Sequence, residues 1–161
     1  DARPGDIPYY GATGVFGYVE DFLFDEILVL VGEDGSVVNA DGTPFVQYIW
    51  GKSWINNHAH ALKGRGISNE VLFFALRQSD VRPLVTGAVQ PKLSMGNLGA
   101  LVVRVPNDAV RDGLELALTE LMSVYRARSD ENRSLVQLRE VLLPELLSGR
   151  IRVPESEGGA I

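Results

Sequence analysis

The texture of the chain changes at Pro106. Residues 1–106 are rich in glycine, aromatic and β-branched side chains broken by turn formers, whereas residues 107–148 contain a single glycine, Gly113. Apolar residues there take up helical spacing. Val110, Leu114, Ala117, Leu121 and Val124 step by 4, 3, 4 and 3, and the register continues through Arg128 and Glu131 to Leu135, Leu138 and Leu142. Such steps line up one narrow stripe of an α-helix. The stripe is no wider than a coiled-coil seam, so it predicts a helix that pairs with another helix. The alternative is packing against its own β-rich segment. About 40 helical residues would make a rod on the order of 60 Å long at 1.5 Å per residue. Pro144 is expected to kink or interrupt it, because proline lacks the amide hydrogen and crowds the preceding turn. Ser148-Gly149 should cap it, and residues 151–161 should form an extended tail.

Upstream, "IPYYGATGVFGYV" predicts two short strands around Gly11 and Gly14. "EILVLVGEDG" predicts a buried strand over residues 27–31 that runs into a turn at Asp34-Gly35, and "NADGTPF" repeats the device at Asp41-Gly42. "SWINNHAHAL" is a further strand candidate. One helix interrupts the pattern: Ser68 can cap "NEVLFFALRQ", with Leu72, Phe73 and Leu76 facing inward. After Pro83 β character should return, and "ALVVRVP" should close the region as a strand that ends at Pro106. The expected fold class is therefore α+β: a mixed β-rich domain over 1–106, a long coiled-coil-type helix over 107–150 and the tail. Because the chain begins at Asp1 and enters a strand pattern almost at once, the first domain is expected to be N-terminally truncated.

A hydrophobic fraction of 45% and a charged fraction of 22% suit a chain with a true core and argue against wholesale disorder. The N-terminus has no basic start followed by an apolar core, and no run nears the roughly 20 apolar residues that span a bilayer. The absence of cysteine excludes disulfides and thiolate metal sites and fits a cytoplasmic setting. The net charge of −6 argues against indiscriminate coating of nucleic acid. That average hides an asymmetry: residues 1–49 carry −8, residues 50–106 carry +5 and residues 107–161 carry −3. The basic middle third could meet a polyanion, unless folding mixes the thirds and erases the excess.

Enzyme signatures are absent: no G-x-x-x-x-G-K-[ST], no G-x-G-x-x-G opening a βαβ unit, no G-x-S-x-G and no H-E-x-x-H. The two histidines, His58 and His60, would share one face if they lay on one strand, and could then offer two imidazoles to a metal. A catalytic zinc needs a third protein ligand, and none stands in a suggestive motif. The expectation is no metal and no catalytic residue, with Asn57, His58 and His60 bonding neighbouring backbone and loops.

Taken in order, "GDIPYYGATGVFGYVEDFLFD", "GEDGS", "GKSWINNHAHAL", "TGAVQPKLSMGNL", "LVVRVP" and "LREVLLPELLSGRIRV" resemble the specificity (S) subunit of type I restriction-modification systems. The likeness is to one target recognition domain and the helix behind it. It implies a non-catalytic DNA-recognition subunit in which each of two halves reads one part of a split site. Two long spacer helices pair antiparallel between the halves. It also implies docking to methyltransferase (M) subunits and, through them, to the restriction (R) subunit. S-adenosylmethionine, ATP and magnesium would belong to those partners, and no cofactor to this chain. The helix opening "PNDAVRDGLELAL" lacks the Pro-Leu and Glu-Gln elements usual in the family. A possible homodimer through the long helix would mimic a whole S subunit, with Val110, Leu114, Ala117, Leu121, Val124, Leu135, Leu138 and Leu142 at the pairing seam.

For double-stranded DNA, cations on loops give affinity, and side chains that reach base edges give sequence choice. Lys52, Lys63, Arg65 and Lys92 are the phosphate candidates. Gln90 and Asn97 could bond an adenine edge, and Arg65 or Lys92 a guanine edge. Tyr9, Tyr10, Thr13 and Ser53 are expected in adjacent loops to support either role. The alternative is a protein-interaction or dimerisation fragment with little DNA affinity alone.

Overall fold

The computed structural model describes residues 3–152, so most of the expected tail, residues 153–161, lies outside the described residues. The chain divides into a unit Asp1–Glu120 and a unit Leu121–Ile161. The fold is α+β: the described residues form seven strands in two sheets, two short helices and one 40-residue helix.

In the first sheet, strand β1 (Pro4–Gly11) pairs antiparallel with β2 (Gly14–Val19), as the spacing of Gly11 and Gly14 predicts. On its other side β1 runs parallel to β6 (Lys52–Ile55), with Tyr9 opposite Trp54 and Tyr10 opposite Ile55. The short β3 (Phe24–Asp25) completes the order β2-β1-β6-β3. The second sheet has β4 (Leu28–Gly32) at its centre, between β5 (Val46–Ile49) and β7 (Ala59–Leu62), all antiparallel. All five residues of β4 are buried, and a strand covered on both faces needs a continuous apolar run rather than an alternating one. Leu28, Leu30, Ile49, Ile55 and Ala59 form the core cluster, and Tyr10, Phe24 and Ala61 pack on it.

Helix α1 (Asn69–Leu76) starts where Ser68 predicts, with the Ser68 hydroxyl accepting from the Val71 amide at 3.2 Å. Its buried side chains are Glu70, Val71, Phe73, Ala75 and Leu76, so Val71 and Ala75 take the inward place expected of Leu72, which is half-buried. The Tyr48 hydroxyl donates to Glu70 Oε1 at 2.6 Å inside the core. The Asp41-Gly42 turn also forms. Gly42 has a φ of +92°, a left-handed conformation that favours glycine, and a Cβ there would also push against the flexible Arg82 side chain at 2.6 Å from its Nε. The Thr43 hydroxyl and amide both donate to Asp41 Oδ1, and this holds the Asp41 carboxyl below its ordinary value of 3.8. Asp80, held by the Arg82 guanidinium and amide, is lowered likewise. An NMR titration of the carboxyl carbons should give both midpoints below 3.8, and Thr43→Val should return only that of Asp41 upward. The sign follows from linkage: these depressed groups stabilise the fold above the unfolded carboxylate pKa, and that contribution is lost as pH falls through their folded values.

Three expectations are corrected. "SWINNHAHAL" is two strands, β6 and β7, placed in different sheets by a turn at residues 56–58. Beyond Pro83 the chain forms a 3-10 turn (Arg82–Leu84), isolated bridges at Lys92 and the helix α2 (Met95–Gly99), capped by Ser94. Five residues are too few to register as periodicity. "ALVVRVP" pairs with no sheet, and Val102 is 89% exposed. Its β-branched content favours extended backbone, but without a sheet edge to join, propensity alone makes no strand.

The long helix, α3 (Asp108–Leu147), runs on through Pro144. Pro144 lies in its last turn, so the missing amide costs one bond close to an end that frays in any case. Gly149, at φ +69°, then terminates it as expected, with the Gly149 amide donating to the Leu146 carbonyl and the Arg150 amide to that of Glu145. Within the first unit, the start of α3 packs on α1: the Ser68 amide donates to Glu115 Oε1 at 2.9 Å, and Leu114 and Leu118 share a groove with Val71 and Phe74.

Candidate nucleic-acid interface

The structure places the expected DNA-facing residues in three environments. Tyr9 and Tyr10 lie on β1 rather than in a loop, and Tyr10 packs on the core. Ser53 lies on β6 and is 0% exposed, so it cannot reach a ligand without opening the sheet. Its hydroxyl has no protein partner among the described residues. Ser53→Ala should therefore leave DNA binding unchanged and raise stability by up to about 1 kcal/mol, because it removes a buried hydroxyl that gains nothing from its position; thermal melting checks this. Thr13 is exposed in the β1–β2 turn.

The second environment is a side of the β3–β6 region. Lys52 is exposed, on β6 rather than in a loop, and its ammonium lies 4.8 Å from the centre of the exposed Phe22 ring. Lys63 follows β7 and pairs with Glu26 at 2.5 Å. Arg65 is exposed in the next turn, and no ion pair to it occurs among the described residues.

The third is a cluster of three loops, at residues 33–36, 56–58 and 86–92. Lys92 bridges to the backbone of both Asp34 and Thr86, and its ammonium pairs with Glu33 Oε1 at 3.0 Å. His58 Nδ1 lies 2.8 Å from Asp34 Oδ1. His60, buried on β7, bonds the Leu93 carbonyl through Nε2 at 2.7 Å and faces Glu33 Oε2 at 3.6 Å through Nδ1. Gln90 is exposed on the same 86–92 loop. Asn97, on α2, instead donates its side-chain amide to the Leu84 carbonyl at 2.8 Å, which positions the loop from within.

The H-x-H pair is thus split. His58 sits in a turn and His60 on a strand, so the shared face required for two ligands to one metal does not exist. Among the described residues no group of three or more His, Asp or Glu side chains could hold a metal ion. Folding also mixes the charged thirds in part. Glu26, Glu33 and Asp34, from the acidic first third, meet Lys63, Lys92 and His58, from the basic middle. These are partly exposed pairs, worth about 0–1 kcal/mol each, so an incoming phosphate could displace the carboxylate. Sequence reading could not find Glu33 and Asp34 as partners, because their contacts lie 24 to more than 50 residues away along the chain.

The seam residues Val110, Leu121, Val124, Leu135, Leu138 and Leu142 are between 42% and 60% exposed, Ala117 is exposed and Leu114 is half-buried. They form an apolar stripe that is exposed along much of its length among the described residues.

The described residues thus combine a mixed β-rich unit with a long helix that carries an exposed apolar stripe. Comparison with known proteins relates that combination to one family. The chain is 31% identical over 121 residues to a Haemophilus influenzae protein named as a putative type I restriction enzyme specificity subunit, a match covering 74% of this chain and 31% of that protein. The crystal structure of a type I restriction-modification S subunit from M. genitalium superposes with a TM-score of 0.59 over 89% of this chain and 38% of that one, at 15% identity, and so shares the fold. No family model matches the chain. The chain is a relative of type I restriction specificity subunits and spans about a third of the length of the relatives it matches.

Proposed function

We propose that this chain recognises part of a split DNA target for a type I restriction-modification complex and performs no chemistry of its own. The observation that carries the reading is the 31% identity over 121 residues to a specificity subunit, and the common fold supports it. In this reading Lys52, Arg65 and, after exchange of their carboxylate partners, Lys63 and Lys92 hold phosphates. Gln90 and Thr13 lie on exposed turns from which a side chain can approach base edges. Methyltransferase and restriction subunits dock on the complex and bring S-adenosylmethionine, ATP and magnesium. The setting is the bacterial or archaeal cytoplasm. Among the described residues no helix is long and apolar enough to cross a membrane.

Two copies pair through the α3 seam. An antiparallel arrangement is favoured on two physical grounds. It opposes the helix dipoles, and it sets Arg128 and Glu131 of one copy across from Val124 and Leu121 of the other, whereas parallel pairing would stack arginine on arginine and glutamate on glutamate. Such a dimer would read a palindromic split site.

Co-expression with a methyltransferase subunit of the same type I class, followed by methylome sequencing, tests the reading. One split motif becoming methylated is the expected result. Complex formation without new methylation would instead favour the second reading, a docking and dimerisation fragment, to which the carboxylate pairing of Lys63 and Lys92 lends support.

A further inference from the structure

His60 is buried beneath the cluster of loops at 33–36, 56–58 and 86–92, and DNA recognition as described gives it no role. Its Nε2 lies 2.7 Å from the Leu93 carbonyl oxygen. A carbonyl only accepts, so Nε2 carries the ring hydrogen and Nδ1 of the neutral ring carries a lone pair. That lone pair faces Glu33 Oε2 at 3.6 Å, and the two have no hydrogen to share. The other carboxylate oxygen, Oε1, holds the Lys92 ammonium at 3.0 Å. Glu33, its side chain only 23% exposed, thus stands between a buried imidazole and an exposed lysine.

Lys92 can leave that pair without moving its backbone. Its amide donates to the Thr86 carbonyl at 2.7 Å, the Thr86 amide donates back at 2.9 Å, and the Leu93 amide donates to the Glu33 carbonyl at 2.7 Å. A phosphate that draws the ammonium away leaves the Glu33 carboxylate largely out of water beside an incoming anion. That is unfavourable unless another cation meets it. His60 is placed to become one. A proton on Nδ1 turns the facing lone pair into a donor toward Oε2, while Nε2 keeps its bond to Leu93. Of the neighbouring elements, β4 carries no charged residue, and Asp34 on the loop after it pairs with His58 Nδ1 at 2.8 Å.

We infer that His60 is a positioning residue for DNA binding: it takes up a proton and holds Glu33 when Lys92 transfers to a phosphate. The inference rests on the DNA-recognition reading above. In the free chain a neutral His60 lies beside the Lys92–Glu33 pair; in the complex a protonated His60 pairs with Glu33, and Lys92 pairs with DNA. The proton comes from solvent. The complex therefore holds one proton more than the free chain, so affinity rises as pH falls through the range in which histidine changes charge, about pH 5 to 8.

His58 and His60 are the only histidines in the chain, so single substitutions separate them. Fluorescence anisotropy with a mixed-sequence duplex at fixed salt should give the wild type roughly fivefold higher affinity at about pH 6 than at about pH 8, the size of one partly exposed ion pair. His60→Gln keeps an N–H donor for the Leu93 carbonyl but cannot titrate, and should flatten the profile at the wild-type high-pH level. Glu33→Gln should flatten it at or above the low-pH level, because the amide neither holds Lys92 nor calls for a proton. His58→Gln should retain most of the response. A merely structural His60 would weaken binding alike at every pH and would leave Glu33→Gln as pH-dependent as the wild type. A response that survives His60→Gln or vanishes in His58→Gln overturns the role of His60 and leaves DNA recognition standing, and so does a flat wild-type profile. Should His60→Gln fail to fold, a response retained in Glu33→Gln overturns it by itself. If the wild type binds no duplex at any pH, the recognition reading fails and the role of His60 falls with it.

Discussion

Leu30→Ala should cost about 3–4 kcal/mol, enough to leave this chain marginally folded or unfolded at body temperature. Leu30 is 0% exposed on the central strand of the second sheet and packs among Leu28, Ile49, Ile55 and Ala59. Leucine-to-alanine changes at such sites lose the transfer energy of the removed carbons and leave a cavity, about 2–5 kcal/mol together. Collapse of the site is restricted, because β4 is paired with a strand on both sides, and Leu30 lies opposite Gln47 of one and Ala61 of the other. A typical domain has only about 5–15 kcal/mol in all. Urea unfolding followed by circular dichroism measures the loss. A midpoint unchanged within error would mean that the sheet is not the core assigned to it. The same substitution on the exposed seam, Leu138→Ala, should cost little in the monomer and appear instead in the dimer constant.

The contrast between those two leucines explains what is legible in the sequence. The long helix is legible because 4-3 spacing sustained over more than thirty residues has few other physical solutions. The buried strand β4 and the glycine turns at Gly35 and Gly42 are legible because each needs a residue type that little else demands. The Ser68 cap stands out for the same reason. Tertiary pairing is not legible. Nothing local says that the HAH segment is cut by a turn into two sheets, since Asn56-Asn57-His58 can serve equally as strand or turn. Nor does "LVVRVP" reveal that its extended backbone joins no sheet. The candidate site is legible as residue types and not as a surface: Lys52, Thr13, Arg65 and Gln90 emerge exposed, Ser53 and Tyr10 belong to the interior, and Asn97 is committed to Leu84. The acidic first third hides the ion pairs, because charge counted along a chain says nothing about which strands it joins.

Those ion pairs lead to the second prediction. Lys52→Ala with Arg65→Ala removes the two candidate phosphate ligands that have no carboxylate partner among the described residues, and Glu26→Gln with Glu33→Gln frees the two that do, Lys63 and Lys92. Deleting one phosphate-binding cation should lower the slope of log affinity against log salt by about 0.9. The cation double variant should therefore lose about 1.8 of slope, and at 0.1 M salt its affinity for a mixed-sequence duplex should fall by roughly 50-fold. The carboxylate double variant should move the other way and bind more tightly, because an exposed pair worth at most about 1 kcal/mol gives way to a phosphate when its acid is gone. Fluorescence anisotropy over a salt series reads both. The opposed signs are what make the test specific. A general change of net charge by two units would shift affinity without separating residues on one face from those elsewhere, so Asp108→Asn with Glu120→Gln, on α3, serves as the control and should leave the slope unchanged. If the cation pair has no effect while that control does, the DNA surface lies off the β3–β6 side, and the chain would bind through long-range field alone. If no variant binds DNA at any salt, the recognition role requires more of the protein than these residues, and the pairing helix is the function this chain retains.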